Sequence, residues 1–106
     1  MTDKIVVFST CASAEDAQNI ARRLVEARVA ACVNIIAGAH SIYRWEGKIE
    51  DAAECLLIVK STRAAFPALR AEIEKIHPYD VPEILAVAVV DGSENYLNWL
   101  EAELDA

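Results

Sequence analysis

The chain has 106 residues, 55% apolar and 25% charged, with a net charge of −7. That composition belongs to a globular chain rather than a disordered one, and the length suits one domain over residues 1–106 and is too short for two. The ten Lys and Arg are scattered, with Arg22-Arg23 the longest run, which argues against a nucleic-acid partner because a phosphate backbone is held by clustered cations.

Lys4 to Thr10 is a β-branched run short enough for a buried strand. Ser13 stands three residues before Asp16, the pattern of a capping box. Ala17, Ile20, Ala21, Leu24 and Val25 then recur at helical spacing, so a first helix is predicted from Ala14 to Arg28, with Arg22, Arg23 and Arg28 late, where cations suit a helix end. Ala31 to Ile36 is extended, Gly38 breaks it, and Ser41 to Trp45 resumes the extended pattern. Glu46-Gly47-Lys48 supplies a turn, Ile49-Glu50 begins the return, and Glu54 to Lys60 is the strongest strand of the mid-chain. Each arm of this hairpin exceeds the usual strand of ~5–6 residues, so its tip must project beyond its own sheet.

Phe66, Leu69, Ile73 and Ile76 mark a second helix, with Pro67 in its first turn and His77-Pro78 at its end. Ile84 to Val90 reads as a fourth strand, apolar on both faces and therefore expected to be central. Asp91-Gly92 turns the chain, and Tyr96, Leu97, Leu100 and Leu104 give a short last helix that Ser93 can cap. The order is that of an α+β, ferredoxin-like βαββαβ domain with a long second hairpin and a C-terminal helix. Right-handed crossovers put both main helices on one face of the sheet. The first and fourth strands are apolar all round, and one terminal helix is too small to cover the other face. Copies of the chain are the natural cover, which predicts an oligomer.

No apolar run approaches the ~20 residues of a membrane helix, and Met1 to Ser9 lacks the features of a signal peptide, so no membrane role is expected. Cys11, Cys32 and Cys55 are odd in number and lack a CxxC spacing, which suggests reduced thiols in the cytoplasm. Cys11 lies beside a helix start, but a catalytic thiol needs a positioned base, and the only histidines, His40 and His77, are remote in sequence. Cys32 and Cys55 sit in strands as small buried residues do. Glu50, Asp51 and Glu54 on the hairpin return look like a solvated charged face. There is no GxGxxG, Walker lysine loop or HExxH, so neither an enzyme nor an organic cofactor is expected.

His77 shares its loop with Asp80 and Glu83. One chain then offers one or two metal ligands, short of the four of a structural zinc, and the plainer reading has His77 bonding a backbone carbonyl at the helix end. Tyr43 and Trp45 share one face of the projecting tip and either dock on a neighbouring copy or pack against the terminal helix.

Four segments, Ala31 to Ile36, Ser41 to Lys48, His77 to Glu83 and Tyr96 to Trp99, together resemble the CutA family of divalent-cation tolerance proteins over nearly the whole chain. The most specific are Ser41-Ile42-Tyr43-Arg44-Trp45-Glu46-Gly47-Lys48 and His77-Pro78-Tyr79-Asp80-Val81-Pro82-Glu83. The resemblance implies a homotrimer like that of the PII signalling proteins, a non-enzymatic role in tolerance of or response to divalent metals, and binding of copper(II), with zinc second. It places Tyr43, Trp45, Lys60, Tyr79, Glu83 and Trp99 in an inter-subunit cleft and makes Cys32 and His77 the metal candidates. Some members carry a cysteine where this chain has Ser9, so copper chemistry that relies on that thiol does not carry over directly. Two other roles stay open at this point. One is a PII-like sensor of a small anionic ligand met by Lys60 and Arg44, and the other is a scaffold for an unidentified protein partner.

Overall fold

The computed structural model describes residues 2–105. The β-branched run forms β1 (Lys4–Cys11), in which Ile5, Val7, Ser9 and Cys11 are buried while Val6, Phe8 and Thr10 on the other face are only partly covered. Ser13 caps α1 (Ala14–Glu26), its hydroxyl accepting the Asp16 N–H at 3.1 Å. The helix stops short of the expected Arg28, because Arg28 takes a left-handed backbone with φ 58°. Its carbonyl accepts the Asp105 N–H at 3.0 Å, tying this corner to the C-terminal segment.

Then come β2 (Cys32–Trp45) and β3 (Lys48–Thr62), an antiparallel hairpin closed by Glu46 (φ 50°) and Gly47 (φ 79°), the left-handed pair that a two-residue turn of matching twist requires. Gly38 does not break β2 as the sequence suggested. It sits with φ 87° in a bulge between Ile36 and Ala39, and the ladder continues beyond it. The outer arm stretches the molecule to 44 × 25 × 22 Å and its radius of gyration to 14.2 Å, against about 13 Å for a compact chain of this length.

α2 (Phe66–Ile76) carries Pro67 in its first turn and ends at His77, as predicted. It is followed by β4 (Leu85–Ala88) and α3 (Glu94–Ala102). The sheet order is β2-β3-β1-β4 with every neighbour antiparallel, the ferredoxin-like arrangement. α1 and α2 lie together on one face, where Arg23 Nε donates to Glu72 Oε1 at 2.7 Å. Ile20, Leu24, Leu69 and Ile73 pack there against Val7, Leu57 and Val59.

The expectation that the fourth strand is central is wrong. β3 occupies the other side of β1, so β4 has one neighbour, is four residues long and is exposed throughout. Leu85 and Val87 are level with Phe8 and Val6 and share their face, the one α1 and α2 leave open. The two-faced apolar pattern therefore marks an uncovered surface. β2 reaches the same face by way of the bulge. Cys32, Asn34 and Ile36 pair with Lys60, Ile58 and Leu56, and after the extra residue Ser41, Tyr43 and Trp45 stand on that side too. α3 covers only one end, where Lys4 Nζ donates to Glu101 Oε1 at 3.3 Å and Tyr96 lies against Cys32. Ile36, Leu85, Val87, Tyr43 and Trp45 stay exposed. Burying aliphatic side chains of this size is worth about 1.5–3 kcal/mol apiece.

Candidate functional site

The residues singled out in the sequence fall into two groups. The first surrounds the loop after α2. There the His77 N–H closes the helix on Ile73 O at 2.8 Å, and the ring turns inward to 7% exposure. Nδ1 accepts the Tyr79 N–H at 3.0 Å, so Nε2 carries the proton and donates it to Thr10 O at 2.8 Å. The plainer reading of His77 thus describes its contacts, and both ring nitrogens are occupied. Tyr79 packs its ring 4.7 Å from that of His77 and donates its hydroxyl to Glu54 Oε2 at 2.7 Å. Burial first, then the bond to the Glu54 carboxylate, pushes the phenol well above its ordinary value. A chain of hydrogen bonds therefore runs from β1 through the loop to β3.

Sequence reasoning missed Glu54. The pattern places it with Glu50 and Asp51 on a solvated face, but only those two are exposed, while Glu54 is 8% exposed beneath Tyr79. The one signal in the sequence is its place at the head of the apolar run Cys55 to Val59. Around it lies a groove of about 660 Å³. Tyr43, Trp45 and Tyr79 give it aromatic walls, Glu54, Asp80 and Glu83 give it carboxylates, and Thr10, Ser41, Ile42 and Val81 complete it. Among the described residues no Lys, Arg or His lines it. That composition runs against an anionic ligand in this groove.

The second group lies at the α3 end. Cys32 is half-buried opposite Lys60, whose ammonium donates to Asn34 Oδ1 and lies 3.9 Å from the Cys32 sulfur. Tyr96 packs over Cys32, and its phenol is raised first by burial and then by that thiol. Trp99 packs against Tyr96 with centroids 5.5 Å apart and the rings tilted by 39°. Cys32 and His77 do not meet. Cys32 is level with Val6 and His77 with Thr10, two strands over, which is roughly 16 Å by strand geometry. Among the described residues no group of three or more His, Cys, Asp or Glu side chains could hold a metal ion. Within one chain the donors do not fit a resident metal. Ser9 faces the helices with its hydroxyl unpartnered, on the side of the sheet opposite Cys32.

Cys11 does not make a catalytic thiol. It is fully buried, donates to Ser13 O at 3.6 Å, and burial followed by the neighbouring Cys55 holds its pKa above the usual thiol value.

A family model described as "CutA1 divalent ion tolerance protein" matches residues 5–103. The chain belongs to the CutA1 family. The divalent-cation tolerance protein CutA of Thermus thermophilus is 50% identical over 95 residues, which span 90% of this chain and 92% of that one. The crystal structure of CutA from Xylella fastidiosa superposes with a TM-score of 0.96 at 41% identity, covering 98% of this chain and all of that one. A CutA from Archaeoglobus fulgidus described as a periplasmic divalent cation tolerance protein gives a TM-score of 0.93 at 37% identity, over 96% and 99% of the two chains. The CutA family name attaches this fold to divalent-cation tolerance, and the family is named for tolerance rather than for a reaction.

Proposed function

We propose that the chain serves divalent-cation tolerance as a non-enzymatic homotrimer that meets cations such as copper(II), with zinc second, near the clefts between its copies. The observation that carries this reading is the open apolar sheet face, continuous with an aromatic arm that reaches past the rest of the fold. A closed ring of copies would bury that face and lay each arm along a neighbour. It would also bring groups from the α3 end of one chain toward the loop of another, so Cys32, Lys60 and Trp99 would share a cleft with Tyr43, Trp45, Tyr79 and Glu83. A complete cation shell would then draw on more than one chain, with Cys32 and His77 as donors and His77 exchanging its contact with the Tyr79 N–H for the metal. The buried, protonated Cys11 and the doubly bonded His77 support the non-enzymatic reading. Three free thiols support a cytoplasmic setting.

The test is calorimetric titration of copper(II) and zinc into the assembled protein, alongside Cys32→Ser and His77→Ala. Each substitution is expected to weaken copper binding about tenfold or more. Isotherms identical to wild type for both variants would remove these residues from the site.

A further inference from the structure

We infer that Cys11 and Cys55 are an internal disulfide site, a pair of thiols that bridges β1 to β3 when the chain folds in the presence of a small disulfide. The two residues stand directly opposite one another in the β1–β3 ladder. Both are buried on the face that α1 and α2 cover, in one core cluster with Ala17. Burial first, and then the Cys55 thiol, raises the Cys11 pKa, so the two sulfurs are close enough to act on one another. Cys32 stands apart, on the other face of the sheet, level with Val6 and beyond β3. The native register therefore admits one pairing among the three thiols.

Strand geometry sets the character of the bridge. The Arg63 N–H donates to Asp3 O at 2.9 Å, so alternate pairs from there, ending with Cys11 and Cys55, are the hydrogen-bonded ones. Such a pair sets its Cα atoms about 5.5 Å apart, inside the range of disulfides. Its Cβ atoms stand up to about 5.5 Å apart, where a disulfide wants about 3.8 Å. Closing the bridge draws the strands together, and Cys11 gives up its 3.6 Å contact with Ser13 O. Cys11 is the last residue of β1, so no further ladder holds it apart from Cys55. A bridge that strains its strands is easily reduced, and in a reducing setting the pair stays as thiols. The neighbouring residues, Thr10 and Glu54, anchor His77 and Tyr79, so the bridge ties together the two strands that hold the loop after α2.

In the folded protein both thiols are shielded and Cys11 keeps its proton, so oxidation belongs to folding, when thiolates are accessible. One thiolate attacks glutathione disulfide, releasing one glutathione and leaving a mixed disulfide. The second thiolate attacks the protein sulfur of that bond and releases the other glutathione. Two cysteine thiols are oxidised, their protons pass to the departing thiolates, and one glutathione disulfide is reduced to two glutathiones. None of this rests on assembly or on bound metal.

The test refolds the Cys32→Ser chain from denaturant, with EDTA and without air, at fixed glutathione disulfide and varied glutathione. Acid quenching and alkylation fix the thiols, and peptide mass spectrometry locates the bridge. A Cys11–Cys55 bridge is expected in chains that recover native far-UV circular dichroism. Its ratio to the dithiol form should fall about a hundredfold for each tenfold rise in glutathione, because two glutathiones are released per bridge, whereas a mixed disulfide would fall about tenfold. The wild-type chain, mapped in the same way, should show this bridge in preference to either bridge with Cys32. Four results would overturn the inference: both thiols alkylated at every glutathione concentration; the tenfold dependence; a bridge confined to chains that do not recover the native signal; or a wild-type preference for a bridge to Cys32.

Discussion

Tyr79 joins the loop after α2 to β3 through one hydroxyl, and removing that oxygen isolates the effect of the bond. Tyr79→Phe keeps the ring against His77 but leaves the buried Glu54 carboxylate without its donor. A loss of about 1–3 kcal/mol in denaturant melts at neutral pH is expected. The same phenol makes the fold sensitive to alkali. The folded state holds the Tyr79 proton above the ordinary phenol value of 10.0, Tyr96 likewise, and Cys11 above 9.0. As pH rises past those values the unfolded chain releases protons that the folded chain keeps, so stability falls with rising pH. Melts at pH 8 and above pH 10 should show that decline, with a shallower slope in Tyr79→Phe. Among the thiols, Cys32 should react with a disulfide reagent in the native protein, while Cys11 and Cys55 wait for unfolding. The carbonyl contact of His77 was legible from its place between a helix end and a proline. The burial of Glu54 was not, because its cover comes from Tyr79, 25 residues further on.

At the scale of elements, Gly38 determines which face the arm presents. One extra residue at this bulge sets Tyr43 and Trp45 on the side of Cys32, and deleting it would turn both to the side of α1 and α2. The Gly38 deletion is expected to keep its helices by circular dichroism and to lose assembly, which sedimentation can follow. A Cβ at Gly38 meets no atom within 4 Å, so the effect of Gly38→Ala is the left-handed backbone alone, about 1–2 kcal/mol. Helix starts, the turn at Gly47 and the end of α2 were readable because caps, glycines and prolines act locally. The bulge was visible only as a glycine, since a break and an inserted residue look alike until the partner strand is known. β4 was misplaced for a similar reason. Leu85, Val87 and their neighbours are apolar, and an apolar strand exposed at a sheet edge has the same sequence pattern as one buried at its centre.

For the whole molecule, the sheet is half covered. α1 and α2 close one face, α3 closes an end of the other, and the remainder runs from Leu85 and Val87 across Phe8 and Ile58 to Ile36 and out along the arm. The fold class was readable from element order alone, whereas the extent of the open face depended on β4 lying at the edge. Placing charge there should separate assembly from folding. Leu85→Lys with Val87→Lys touches exposed side chains, so the helical signal should persist while the particle mass drops. The most direct measurement is sedimentation equilibrium of the metal-free wild-type chain at micromolar concentration. The account predicts one species of about 35 kDa, three chains of 11.6 kDa. A well-folded particle of 11.6 kDa would contradict it.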